Sequence, residues 1–227
     1  MHLDHLRGLL RHAVHDRTTF RPEILRIDRP ADTARIQALV AAGAVIHDDL
    51  DAQLIELVRC LNPSKRFAKE ELIAAVEVHL GGRDRLSYGA WIHYPWSNRL
   101  VHLLDGEEFA LVRTNRNRNK ITREEQAMLA TKRIGVIGLS VGQSVALTLA
   151  LERGFGEIRL ADFDTLDLSN LNRIRSGVHE LGIPKVINTA REIAELDPYL
   201  QVTVFTDGLT RANMDQFFCD GGNLDLL

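Results

Sequence analysis

The chain has 227 residues, 45% of them hydrophobic, enough to bury a sizeable core as one large unit or two small ones. A formal net charge of -3 offers no basic field for nucleic acid, and no apolar run approaches the roughly 18 residues of a membrane span. Two cysteines far apart, Cys60 and Cys219, with no C-x-x-C, argue against a disulfide framework or a zinc knuckle and make a reducing cytoplasm the expected setting.

The N-terminus mixes charged and apolar residues and has no signal-peptide core. Leu3, Leu6, Leu10 and Val14 recur at helical spacing. His2, His5, His12 and His15 share that stretch without an acidic or sulfur partner, so they read as a solvated helix face and not a metal site. A second helix is expected over 31–43, capped by Asp32 or Thr33 and stopped by Gly43. A third, over 48–63, puts Leu54, Leu57, Val58 and Leu61 on one side and carries Cys60, read as buried and inert. A fourth covers 67–82.

The pattern then changes to short runs rich in β-branched and aromatic residues over 89–96, 99–104 and 108–113. Ser97-Asn98 and Asp105-Gly106 separate them, which predicts a small antiparallel meander. Trp91, Tyr94 and Trp96 read as core or one hairpin face, with a partner-contact surface as the alternative. Residues 1–112 thus read as a small α+β module. Beyond it, Thr122 and Glu125 have the spacing of a capping box.

From Lys132 onward strands and helices alternate. Strands are expected at 133–138, 157–162 and 201–207, helices at 144–154, 185–197 and 210–218, and another strand opens at 223–227. This alternation gives a Rossmann-like parallel sheet with helices on both faces. The chain stops inside the last strand, so the sheet is expected to be incomplete and the sequence to be part of a longer protein. Residues 113–227 form this second unit.

Two features carry the chemistry. Gly138, Ser140, Gly142 and Ser144 lie between the first strand and its helix, where small residues let a backbone approach phosphate at a helix N-terminus. The loop departs from G-x-G-x-x-G: Ser140 and Gln143 stand at the second and third glycine positions, and a tight turn that binds nothing is its alternative reading. Asp162, at the end of the second strand, can accept from ribose hydroxyls or cap a turn. Together they indicate a nucleotide without choosing between NAD and ATP.

The next segment chooses. Residues 162–173, DFDTLDLSNLNR, followed by GIPK at 182–185, resemble the ThiF-type, ubiquitin-activating-enzyme-like adenylating domains, whose pattern is D-x-D-x-[VI]-x-x-S-N-L-x-R and then G-x-x-K. The resemblance implies ATP-dependent activation of a carboxylate as its acyl-adenylate. In it Arg173 and Lys185 hold the β- and γ-phosphates, Asn170 bonds a phosphate oxygen, Asp162 holds the ribose, and Asp164 joins the nucleotide-binding set. It also implies a homodimer with an arginine inserted into the partner's site, for which Arg116, or its neighbour Arg118, is the match. Magnesium is implied too, but its aspartate is expected after Leu227. The activated carboxylate would be the C-terminus of a ubiquitin-like sulfur carrier or a peptide. Val141 and Gln143 replace small residues of the family loop, so Gln143 is expected either to crowd the phosphates or to bond them. Cys219, behind Phe217-Phe218, reads as buried. An NAD-dependent oxidoreductase and a non-catalytic binding module of the same fold are the rival readings.

Overall fold

The structure, a computed structural model, describes residues 3, 6, 7 and 16–227. The expected first helix falls largely outside the described residues, as do its four histidines.

A four-stranded sheet is built from β1 (Glu23–Leu25), β2 (Val45–Asp48), β3 (Ala90–Tyr94) and β4 (Arg99–Leu103), in the order β1-β3-β4-β2. β3 lies antiparallel to β1 and β4, while β2 runs parallel to β4. Three helices accompany it: α1 (Pro30–Ala41), α2 (Leu50–Leu61) and α3 (Lys69–Leu80). Leu54, Leu57 and Val58 of α2 recur at three and four residues and pack on Leu72, Val76 and Leu80 of α3, so each helix buries one stripe.

The meander is therefore corrected. Its third strand is a helix, α4 (Gly106–Thr114), and its sheet is mixed. Asp105 precedes α4, and Glu107 and Glu108 sit in its first turn, where the helix dipole favours negative charge. The cap of α1 is also corrected. Arg29 is the N-cap and Pro30 the first helical residue. The Asp32 carboxylate accepts instead from the Arg26 N–H (3.0 Å), and the Thr33 hydroxyl donates to the Ile27 carbonyl (2.8 Å).

The second sheet is parallel: β5 (Arg133–Ile137), β6 (Glu157–Ala161) and β7 (Gln201–Phe205), in that order. The helices are α5 (Arg123–Leu129), α6 (Leu139–Glu152), α7 (Lys185–Leu196) and α8 (Met214–Cys219). The capping box of α5 is formed: Thr122 Oγ1 accepts from the Glu125 N–H at 3.2 Å, and the Glu125 carboxylate accepts from the Thr122 N–H at 2.7 Å. The expected fourth strand is a single parallel bridge, Leu226 to Ile134, on the far side of β5 from β6. Alternate residues of β6 face opposite ways. Ile158 and Leu160 join the core under α6 and α7, while Ala161 packs with Phe217 of α8. Helices therefore cover both faces. No described helix is long and apolar enough to cross a membrane.

The two sheets are joined through α7, which is buried on nearly every side. The Tyr94 hydroxyl donates to the Ala194 carbonyl (3.2 Å), and Trp96 Nε1 donates to the Glu195 carboxylate (2.7 Å). The buried Arg191 guanidinium holds the carbonyls of Asp16 and Thr19 at 2.9 and 2.8 Å. Trp91 and Tyr94 are both buried but in different clusters, Trp91 with Leu25, Leu39 and Leu100, and Tyr94 against Ala194. Cys60 is buried. Cys219 is exposed, contrary to expectation, because Phe217, with Phe218 packed partly against it, fills the core beneath α8 and the helix ends with Cys219 at the surface.

Arg159, in the middle of β6, is fully enclosed. It donates to the carbonyls of Phe217 (2.8 Å), Asp220 and Gly222 (3.0 Å) and to the Glu157 carboxylate (2.7 Å). Replacing it by methionine keeps the volume and strands three carbonyls. Arg159→Met is expected to cost about 3 kcal/mol in urea unfolding. A change below about 0.5 kcal/mol would mean that water reaches those carbonyls.

Candidate functional site

The site lies at the carboxyl ends of the parallel strands, where the β5–α6 and β6–α7 connections meet. Gly138 ends β5 with φ +81, a backbone state that side chains rarely adopt, and a Cβ there would meet nothing within 4 Å. The space above it is therefore open, as a cradle for a ligand requires. Gly142 has the opposite reason to be small. A Cβ on it would stand 2.6 Å from Val136 Cγ1, so glycine there lets α6 lie close on β5.

Asp162 is 7% exposed, and both its oxygens are in use. Oδ2 accepts from the Leu139 N–H at 2.6 Å and Oδ1 from the Asp164 N–H at 2.8 Å. One carboxylate thus caps α6 and fixes the loop after β6. Each oxygen keeps a further acceptor site, since a carboxylate offers about four lone-pair directions.

Lys185, the first residue of α7, is 4% exposed. Its ammonium reaches back to Ser140 Oγ (3.2 Å) and to Asp164 Oδ2 (2.7 Å). Its own N–H donates to the Asp164 carbonyl at 2.9 Å, and a short bridge between Thr165 and Pro184 closes the loop. The structure thus brings Gly138, Ser140, Gly142, Asp162, Asp164 and Lys185 together. Ser144 sits one turn further along α6, exposed.

The remaining expected residues stand differently. Asn170 is buried, and its Oδ1 accepts from the Asp167 N–H (3.1 Å), so it braces the turn that leads to Arg173. Arg173 is exposed; its guanidinium donates to Asn172 Oδ1 (2.9 Å) and the Ser169 carbonyl (3.5 Å). Arg116 is exposed beside a short turn at Asn117–Asn119. Asn117 Nδ2 donates to the Glu152 carbonyl at the far end of α6 (3.0 Å). A 14-residue helix is about 21 Å long, so Arg116 is roughly that far from its own Gly138.

Gln143 neither crowds nor faces the loop opening. It is 2% exposed and points between α6 and α7. Its Nε2 donates to Glu192 Oε2 (2.8 Å) and to the Arg175 carbonyl (3.3 Å). Asn188 Nδ2 donates to Glu192 Oε1, and Ser176 Oγ to Asn188 Oδ1, both at 3.3 Å. Sequence reasoning missed this network. Its signal was a polar pair at i, i+4, Asn188 and Glu192, on a helix most of whose residues are buried. Among the described residues no three His, Cys, Asp or Glu side chains are grouped to hold a metal.

Burial pushes the Glu192 carboxyl up to about 7, and the negative charges of Glu195 and Glu180 add to this. Between its ordinary 4.5 and that value the folded chain keeps a proton the unfolded chain has lost. Stability therefore falls as pH rises through this window, by about 3 kcal/mol in all. Glu192→Gln removes that loss. Its unfolding midpoint relative to wild type is expected to rise by roughly 5–10 °C between pH 4.5 and pH 8. A difference that is flat with pH would contradict the assignment.

The ThiF family model matches residues 114–226. Over 127 residues the chain is 50% identical to the uncharacterized protein MT1398 of Mycobacterium tuberculosis, covering 56% of this chain and 18% of that one. It is 30% identical to the tRNA threonylcarbamoyladenosine dehydratase of Bacillus subtilis, over 46% of this chain and 41% of the relative. It is 28% identical to ubiquitin-like modifier-activating enzyme 5 of Bombyx mori, over 42% and 26%. The solved structure of Escherichia coli tRNA N6-threonylcarbamoyladenosine dehydratase in complex with ATP aligns with a TM-score of 0.43 and 30% identity, over 46% of this chain and 44% of that one. The matches span less than half the length of each of these relatives.

Proposed function

We propose, since residues 114–226 belong to the ThiF family, that the chain binds ATP at the Gly138 loop and activates a carboxylate as its acyl-adenylate. A carboxylate oxygen attacks the α-phosphorus, an acyl-phosphate bond forms, and the bond to the β-phosphate breaks to release pyrophosphate. Such a displacement needs cations on the phosphate tail and little else from the protein. The observation that carries this reading is the Lys185 ammonium held at Ser140 in the phosphate loop. Of its three donors two are in use, which leaves one for a phosphate oxygen. The α6 N-terminus adds a partial positive charge at the same place.

In this reading Asp162 accepts from the ribose through its remaining lone pairs. The ring of Phe163, 77% exposed beside it, offers a face for the base. Arg173 turns from its local partners onto the β- and γ-phosphates. Magnesium, bound with ATP, would neutralise phosphate charge; no residue described here is assigned to it. Arg116, at the far end of α6 from its own loop, serves the site of a second copy in a homodimer. Relatives named as ubiquitin-like modifier-activating enzymes support a modifier-like protein or a peptide as the source of the carboxylate. Residues 1–112 form the module that would recognise it.

Titration of the chain with ATP and with NAD tests the reading. ATP is expected to bind and NAD not. Lys185→Met should weaken ATP about 10- to 100-fold, the worth of one charge-assisted hydrogen bond. NAD binding that ignores both Lys185 and Arg173 would replace the reading by an oxidoreductase. ATP binding without ATP–pyrophosphate exchange in the full-length protein would leave a binding module.

A further inference from the structure

The third glycine position of the phosphate loop holds Gln143, and its side chain joins three elements that each carry a candidate phosphate contact. It starts in the first turn and a half of α6, four residues after Leu139. One bond goes to Glu192 on α7, the helix that Lys185 begins. The other goes to the Arg175 carbonyl, two residues beyond Arg173. Ser176 is tied to the same helix through Asn188. On the other side of Arg173, the N–H groups of Arg173 and Ile174 donate to the Asn170 carbonyl at 3.0 and 2.9 Å. The Ile174 side chain is buried between these two anchors. Arg173 is thus an exposed cation on a short stretch fixed at both ends.

We propose that Gln143 is a positioning residue that, with Glu192, Asn188 and Ser176, fixes the stretch from Arg173 to Ser176 at the height of the phosphate loop, so that the Arg173 guanidinium meets the tail of ATP. The inference rests on the reading of the Gly138 loop as an ATP site. It goes beyond that reading in assigning the buried amide a role exerted through another residue. A short side chain at position 143 would leave the Arg175 carbonyl and Glu192 Oε2 without the amide that donates to both. The stretch would be free to move, and Arg173 would be held less well. The adenosine end of the site, at Asp162, touches none of these groups and would be unaffected.

This asymmetry makes a test. ATP and AMP affinities are measured for the full chain, for Gln143→Ala, and for Gln143→Ala combined with Arg173→Ala, at a temperature well below each unfolding midpoint. Gln143→Ala is expected to weaken ATP about tenfold and AMP less than twofold. The ATP loss should vanish when Arg173 is already alanine, as coupled residues require. Ser176→Ala, a smaller change at the partly buried end of the network, should show the same preference for ATP and serves if Gln143→Ala does not fold. Equal losses for ATP and AMP, or a loss that adds to that of Arg173→Ala, would overturn the proposal. A wild-type chain that binds neither nucleotide would overturn it together with the ATP reading, and is recognised without any variant.

Discussion

One carboxylate holds the candidate site in shape. Asp162 takes the first N–H of α6 with one oxygen and the N–H of Asp164 with the other, so the loops after β5 and β6 are a single unit. Leu139 is an orphan donor of a helix N-terminus, and leaving it unpaired in this buried place would cost about 1–3 kcal/mol. The same bond sets how close Asp164 comes to the phosphate loop. Asp164 in turn receives Lys185 through both its carboxylate and its carbonyl. Loop, acid and cation are therefore linked in series, and the chemistry depends on a capping interaction as well as on the groups that would touch a ligand.

α7 is the second constraint. It starts at Lys185 in the site, carries Asn188 and Glu192 against α6, and ends under Tyr94 of β3 and Trp96 of the turn that follows it. Asp197, just past its end, is fully buried and bonds Arg153 at the end of α6 at 2.8 Å, with Arg113 of α4 at 3.7 Å. A helix so enclosed cannot shift without disturbing both sheets. Polar groups buried along it have partners, as they must in a low-dielectric interior: Lys185 bonds Ser140 and Asp164, Asn188 bonds Ser176 and Glu192, and Arg191 bonds the carbonyls of Asp16 and Thr19. The cost of that arrangement shows at Glu192, whose charged form the surroundings disfavour.

How much of this was legible in the sequence varied with the physical signal. The parallel half was clear because short strands rich in Ile, Val and Leu alternate at regular intervals with longer helical segments. Thr122 and Glu125 announced their cap by spacing alone. In the first half the signal was weaker. β1 and β2 are three and four residues long, and β2 is exposed throughout, so neither had a period to read. Residues 108–113 misled because Phe109, Leu111 and Val112 resemble a strand; the acidic turn before them was the better guide. At the site, Gly138, Asp162 and Lys185 were recognisable as a pattern. Their partners were not: that Asp164 pairs with Lys185, or that Gln143 turns inward to Glu192, depends on contacts between residues 21 and 49 positions apart.

The account stands on the claim that adenosine and phosphate tail lie across the two joined loops. The structure of the chain crystallised with a non-hydrolysable ATP analogue tests this most directly. The account predicts ribose density against Asp162 and terminal phosphate density over Gly138, within hydrogen-bond reach of Lys185 Nζ. Nucleotide density elsewhere on the molecule, or phosphates turned away from Lys185, would contradict it.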